Sequence, residues 1–230
     1  VITIHRDLIQ GSDEWLAARC GLLTASEMGL ILTPTLKVAN NDKSRAHLWE
    51  LLAQRITQYV EPHYIGDDMM RGYEDEAIAR EIYAEKYAPV EEVGFVTNDR
   101  WGYTLGCSPD GLVGEGGLIE VKSRRQKYQV QTLLENVGAN TVPEDYALQV
   151  QTALLVTERK WCDFISYSGG LPMATIRIEP DPVMQEAILK AASAFEEKLS
   201  EKLAEYRLLE KSGARLLPTK RREPVQEINV

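Results

Sequence analysis

The chain has 230 residues and a mass of 25.9 kDa, enough for one large domain or two small ones, and no linker divides it. With 44% hydrophobic and 27% charged residues its composition is that of an ordinary globular protein, and no apolar run approaches the ~20 residues needed to span a bilayer. Against 26 basic residues stand 35 acidic ones, a net charge of −9, which excludes a protein that coats nucleic acid with its whole surface; contact with DNA or RNA must be confined to a local basic groove or an acidic site neutralised by metal.

The first residues, VITIHRDLIQGSDEW, lack the basic start and small-residue cleavage site of a signal peptide. Cys20, Cys107 and Cys162 lie far apart with no CxxC, which argues against a disulfide scaffold, a zinc ribbon or an iron–sulfur cluster. A reducing cytosol is the expected compartment.

In chain order, the first 60 residues read as helical. Ser12-Asp13 precede a short helix over 14–19 that stops at Gly21, and Thr24 to Leu32 form another, broken by Pro34. Lys37 to Arg45 read as a mobile polar loop. From Ala46 to Tyr59, Leu48, Leu51, Leu52, Ile56 and Tyr59 follow the helical period. A further helix runs from Met69 to Tyr87, with Tyr73, Ala77, Ile78, Ile82 and Tyr83 on its inner face and Glu74 beside them.

The pattern changes at Pro89. Val93–Thr97 and Trp101–Cys107 read as strands around a tight turn, and 112–113 and 118–122 as a second hairpin across Gly114-Glu115-Gly116-Gly117. Residues 124–136 and 144–156 are expected to be helical, 161–167 and 173–178 to form the last hairpin, and 182–211 a long amphipathic helix before a polar tail. This order predicts an α/β or α+β domain with a central mixed β-sheet flanked by helices.

The segment from Ser108 to Lys122 carries the chemistry. Alternation along a strand puts Glu120 and Lys122 on one face and Ile119 and Val121 on the other. Charges in an otherwise apolar strand are costly to bury unless they are paired or bind a metal. The hairpin can fold Asp110 back towards Glu120, and two carboxylates suit a hard ion such as Mg²⁺ or Mn²⁺. Lys122 would then hydrogen-bond an attacking water and stabilise negative charge nearby. The plainer alternative is an edge hairpin with a solvated Glu–Lys pair.

Pro109-Asp110 followed by Glu120-Val121-Lys122 resembles the PD-(D/E)xK nuclease motif, and the order of elements resembles that superfamily's αβββαβ core. More narrowly, the chain resembles the phage lambda exonuclease family of recombination nucleases. The supporting segments are Trp15 to Glu27, Arg71-Gly-Tyr-Glu74-Asp-Glu-Ala, Cys107 to Leu112, Glu120-Val-Lys122 and Tyr146-Ala-Leu-Gln149-Val-Gln151, in the family's order. The resemblance implies that Asp110 and Glu120 are metal ligands with the carbonyl of Val121, that Lys122 is the catalytic lysine, and that Gln149 helps place the water or metal shell. It implies Glu74 as a helical acid near the metal, and Arg19, Ser26 and Ser108 as the residues holding a terminal 5′-phosphate.

Each of these has a plainer reading. Arg19 could be a surface arginine at a helix end, Ser26 only a helix cap, and Glu74-Asp75-Glu76 a solvated charge run of which one residue need point inward. Gln149 and Gln151 lie two apart on a helix and cannot both face one site; Gln149 is the expected one. His5, His47 and His63 are too scattered for a zinc site or a Ser/His/Asp triad. Trp15, Trp49, Trp101 and Trp161 read as core or interface. No GxxxxGK[ST] loop is present, so ATP is not implicated.

Arg124 and Arg125, with Lys127 and the more distant Lys37, Lys43 and Arg45, offer local positive charge for a DNA backbone; the alternative is a solvated helix start. The resemblance also implies a homotrimeric ring around DNA and a single-strand annealing recombinase as partner. The chain reads as one nuclease domain over 1–212, with a helical N-terminal region over 1–88, a catalytic sheet core over 89–180 and a C-terminal helix over 181–211, followed by a flexible tail, 213–230. The C-terminal helix carries an apolar stripe through Val183, Ala187, Ile188, Ala191, Phe195, Leu199, Leu203 and Tyr206. The expected activity is Mg²⁺-dependent 5′-to-3′ degradation of one strand of duplex DNA from 5′-phosphorylated ends, phage or prophage encoded, in the bacterial cytosol. Its rivals are a PD-(D/E)xK endonuclease and a non-catalytic DNA-end-binding protein.

Overall fold

The computed structural model describes residues 1–61 and 66–221. The order of elements is β1 (Ile2–His5), α1 (Asp13–Arg19), β2 (Leu23–Thr24), a 3-10 turn (Ala25–Glu27), α2 (Met28–Ile31), α3 (Asp42–Thr57) and α4 (Asp67–Lys86). Then follow β3 (Phe95–Asn98), β4 (Leu105–Cys107), β5 (Gly111–Val113), β6 (Gly117–Ser123), α5 (Gln126–Glu135), α6 (Glu144–Thr157), β7 (Trp161–Tyr167), β8 (Ala174–Ile178) and α7 (Pro182–Glu210). This is the mixed α+β architecture expected, but its strands divide into two four-stranded mixed sheets, ordered β1-β3-β4-β2 and β5-β6-β7-β8.

The N-terminal region is not purely helical. The alternating Ile2-Thr3-Ile4-His5 pairs antiparallel with β3, Ile2 opposite Asn98, and Leu23-Thr24 pairs parallel with β4, Leu23 opposite Leu105. The segment expected to be a mobile loop ends inside a helix: Asn41 Oδ1 accepts from Ser44 N at 2.9 Å, so α3 starts at Asp42 and absorbs Lys43 and Arg45 into its first turns.

The second sheet is better determined locally. A tight turn at Gly114 (φ +52°) closes the β5–β6 hairpin, and Gly117 is needed because a Cβ there would stand 2.1 Å from the Trp161 ring. β6 then pairs in parallel with β7 over seven residues, Glu120 opposite Phe164. The crossover between them is α5 and α6, as a parallel pair requires. One face of this sheet (Leu118, Cys162, Phe164, Ile176) joins Val96 and Leu105 of the first sheet and packs on α6 and α7 through Val150, Leu154, Ile188 and Ala192. The other face (Val113, Ile119, Val121, Ile165) packs on Ala79 and Tyr83 of α4.

That contact corrects the face assigned to α4. Ala79 and Tyr83 point inward, whereas Tyr73 and Ile78 are exposed, so the inner stripe runs 76-79-80-83. α7 begins where Asp181 Oδ1 accepts from Val183 N and Met184 N, with Pro182 in its first turn; Ile188, Ala191, Phe195 and Leu199 are buried, and Val183 is exposed. Among the described residues no helix is long and apolar enough to cross a membrane.

Candidate active site

β6 presents Glu120 and Lys122 towards α6, while Ile119 and Val121 fill the α4 side. Asp110 lies just before β5. Its N–H donates to Ile119 O at 3.2 Å and its Oδ2 accepts from Val121 N at 2.5 Å, so the hairpin register pins it against β6 beside Glu120. Both carboxylates are buried, Asp110 at 9% and Glu120 at 2% exposure. Glu120 Oε1 accepts from Lys122 Nζ at 2.6 Å and from Gln149 Nε2 at 2.5 Å. Lys122 Nζ also sits 5.3 Å from the centre of the Tyr146 ring.

The electrostatics are strained in one direction. Burial raises the Asp110 carboxyl well above its ordinary range, and Glu120 and then Glu76 push it further. Burial likewise raises Glu76; its partner Arg80 pulls it down, and Glu120 adds to the rise. Burial would lower the Lys122 ammonium, but Glu120 and Asp110 outweigh it and hold the group above its usual value. The carboxylates thus favour the protonated form of Lys122, which donates to Glu120.

The expected helical acid is misplaced. Glu74 is exposed on the outer side of α4, because the helix packs through Ala79 and Tyr83; Glu76, one turn before Arg80 on the same stripe, is the acid facing Asp110 and Glu120. Arg80 Nη1 donates to Glu76 Oε1 and to the Asp110 carbonyl, both at 2.9 Å, and its Nη2 lies 3.1 Å from Glu92. In the sequence Glu76 is one of three acids in a charge run of which one need point inward, and Arg80 does not stand out. The signal that marks them is their spacing from Ala79 and Tyr83.

The family resemblance implies a divalent metal, and the donors can be weighed for it. Among the described residues no group of three or more His, Cys, Asp or Glu side chains is assembled to hold a metal ion. The available set is two carboxylates, Asp110 and Glu120, with the Val121 carbonyl. That is a hard-oxygen set, and Mg²⁺ normally takes one or two carboxylates and keeps several waters. The crowding of Asp110, Glu120 and Glu76 also favours an added cation. The donor chemistry fits.

On the far side of Glu120, Arg19, Ser26 and Ser108 line a small cleft of about 30 Å³ together with Thr24, Glu120 and Gln149. Its walls are braced. Arg19 Nη2 donates to Thr24 Oγ1 at 3.2 Å, and Thr24 N–H and Oγ1–H both donate to Glu27 Oε2, at 3.1 and 2.6 Å. The Arg19 guanidinium lies 4.3 Å from the centre of the Trp15 ring, and Trp15 Nε1–H donates to Ser108 Oγ and to Gly94 O, both at 3.0 Å. One indole thus touches two of the cleft's lining residues. Gln151 points elsewhere, to Glu179 O and Asp181 N.

Arg124 and Arg125 lie at the other end of β6, outside this cleft. They line a larger one, about 730 Å³, between α5 and α6. Lys37, Lys43 and Arg45 are exposed at the entry to α3, with Arg45 paired to Asp42. His63 and the tail from residue 222 onwards lie outside the described residues. Cys20, Cys107 and Cys162 are free thiols, each raised by burial, so none is an activated nucleophile.

A carboxylate pair and a lysine carried across one β-hairpin, with helices against both faces of its sheet, define a nuclease of the PD-(D/E)xK class. A family model described as the YqaJ-like viral recombinase domain matches residues 14–160, and the chain belongs to that family. The alkaline exonuclease LHK-Exo from Laribacter hongkongensis is similar at 32% identity and a TM-score of 0.77, covering 88% of this chain and 100% of that one. The same enzyme solved in complex with dAMP aligns equally well. A phage-related exonuclease from Haemophilus somnus 129PT, at 13% identity, TM-score 0.54 and coverage of 80% and 96%, shares the fold. No curated protein sequence matches.

Proposed function

We propose that the chain is a Mg²⁺-dependent 5′-to-3′ exonuclease that resects one strand of duplex DNA from 5′-phosphorylated ends and leaves a 3′ single-stranded overhang for phage-type homologous recombination. The observation that carries this reading is the small cleft of Arg19, Ser26 and Ser108 directly against Glu120. An arginine with hydroxyls suits a phosphate, and the cleft's contact with Glu120 suits one at the end of the strand being cut. A terminal phosphate seated there brings the first internal phosphodiester to the carboxylates.

In this reading Asp110, Glu120 and the Val121 carbonyl hold the metal, with Mn²⁺ able to substitute; it would supply Lewis acidity and a more acidic bound water. Lys122 Nζ, held as an ammonium, donates to the attacking water or to oxygen on which charge develops. Gln149 fixes Glu120 from α6, and Glu76 with Arg80 fixes the Asp110 side. Arg124 and Arg125 contact the DNA backbone. Residues 1–212 act as one nuclease unit, 213–230 as a tail, in the bacterial cytosol. The homotrimeric ring and the annealing recombinase partner are adopted from the family resemblance.

The test is digestion of linear duplexes with or without a 5′-phosphate, and of a closed circle, in Mg²⁺ or EDTA. Nucleotide release from phosphorylated linear ends, abolished by EDTA, is the expected result. Nicked or linearised circles would instead make the chain an endonuclease, and a folded protein that cuts nothing would make it an end-binding protein.

A further inference from the structure

Side chains two apart on a strand share a face, so Glu120, Lys122 and Arg124 form a row, and Arg124 sits about 13 Å beyond Glu120. The row continues past β6 because Arg124 N–H still pairs with Tyr167 O at 2.7 Å. Tyr146 joins its last two members: its ring lies under Lys122 Nζ and its hydroxyl accepts from Arg124 Nη1 at 2.7 Å. The terminal-phosphate cleft, the carboxylates and the wide α5–α6 cleft therefore follow one another along a single line.

Arg124 differs from three of the arginines around the sheets. Arg55, Arg80 and Arg177 each hold a carboxylate at 2.7 to 2.9 Å. Arg124 instead lies 5.2 Å from each of two aromatic rings, Tyr128 and Tyr146; its Nε is buried with no hydrogen-bond partner, and among the described residues it makes no ion pair. In a chain with nine more acids than bases, a guanidinium kept away from carboxylates is available to an anion. Tyr128 is 42% exposed, with Lys127 Nζ 4.6 Å from its ring centre, and an exposed ring flanked by cations suits a nucleotide's base and phosphate together. Acids line the cleft too: Glu144 and Asp145 are exposed at the start of α6 and make that lip acidic, and Glu135 is held by Gln131. That lip repels a strand that would run on across it.

We propose that the α5–α6 cleft seats the nucleotide that follows the scissile phosphate on the strand being cut, with Arg124 on its phosphate and Tyr128 under its base. The acidic lip limits the cleft to one such unit and turns the remaining DNA away. This rests on the exonuclease reading for its direction, since that reading places the 5′ end of the strand in the Arg19 cleft.

The test is equilibrium binding of a 5′-phosphorylated duplex in EDTA, where nothing is cut, with a neutral methylphosphonate at each of the first few linkages in turn. At a linkage just 3′ of the scissile one, wild type should lose roughly tenfold or more in affinity. Arg124→Gln should bind the unmodified duplex that much more weakly and show no further loss on the neutral linkage. Because Arg124→Gln can disturb Tyr146, Tyr128→Ala is the second variant: it should weaken binding about fivefold, and not at all when that nucleotide is abasic. Wild type indifferent to every such linkage, or an equal loss in Arg124→Gln, overturns the assignment. Digestion of the unmodified duplex in Mg²⁺ judges the exonuclease reading separately: binding that responds at Arg124 without cutting would sink that reading and keep the cleft, and cutting without the response would do the reverse.

Discussion

Two sets of carboxylates are buried at the same sheet and treated oppositely. Asp163, on β7 and 3% exposed, accepts from Tyr83 at 2.6 Å and from both Arg177 Nε and Nη2 at 2.8 Å, with the Arg177 guanidinium stacked 3.8 Å from the Trp161 ring. Its charge is balanced within the protein. Asp110, Glu120 and Glu76 crowd one another, share Lys122 and Arg80, and leave Asp110 pushed far from its ordinary ionisation. A structural acid is one whose partners are all supplied by the chain; an acid kept for chemistry is left partly uncompensated, so that an external cation completes it.

The sharpest way to break this contrast is Asp110→Asn. It keeps an acceptor for Val121 N but removes a proposed metal ligand, and activity should fall about a thousandfold, the size of a lost Lewis-acid contribution of several kcal/mol. The same change relieves repulsion, so the metal-free variant should melt above metal-free wild type, and Mg²⁺ should raise the melting temperature of wild type far more than that of the variant. A variant that loses activity and also melts lower in EDTA would show that Asp110 is a structural acid after all.

Asp163→Ala should show the reverse pattern. It strands the Tyr83 hydroxyl and removes the partner of Arg177, costing about 3 kcal/mol of unfolding free energy. Arg177 is half-exposed and can be hydrated, which keeps the cost from being larger. Activity per folded molecule should stay within about threefold of wild type, since Asp163 lies on β7 away from the carboxylates. Chemical denaturation alongside single-turnover digestion separates the two effects.

The acid on α4 sharpens the comparison further, and it shows what a sequence can carry. Glu76→Gln should slow digestion roughly tenfold to a hundredfold, as expected of a residue supporting metal ligands, while Glu74→Gln should change nothing. Within Glu74-Asp75-Glu76 successive side chains turn by about a quarter of the circle or more, so composition cannot say which one faces inward. Packing decides it, through Ala79 and Tyr83 against Ile119 and Val121. The β5–β6 hairpin was legible because its pairing is local: a Gly-rich turn fixes the register and alternation fixes the faces. β1 and β2 were not, because a strand of four residues and one of two gain their identity from β3 and β4, more than 80 residues away. Asn41 as the cap of α3 was hidden for another reason: the first turn it initiates, Asp42 to Arg45, is wholly polar and lacks the apolar period.

The smallest expected effect concerns Trp15, which the sequence suggested only as core or interface. Its ring supports Arg19 and its N–H holds Ser108 Oγ, so it stands behind two of the proposed phosphate ligands at once. Trp15→Phe keeps a ring beneath the guanidinium and deletes only the N–H. The loss is one shared hydrogen bond, about 1 kcal/mol, or roughly fivefold. If the N–H orients Ser108 for a terminal phosphate, that fivefold falls on 5′-phosphorylated ends alone; digestion from 5′-hydroxyl ends is unchanged, and Ser108→Ala reproduces the pattern. If Trp15 merely packs α1 against the loop at Gly94, both kinds of end slow equally and the ratio between them stays fixed. The ratio of rates on the two ends, and not either rate alone, therefore tells whether this indole shapes the phosphate cleft or only supports the fold around it.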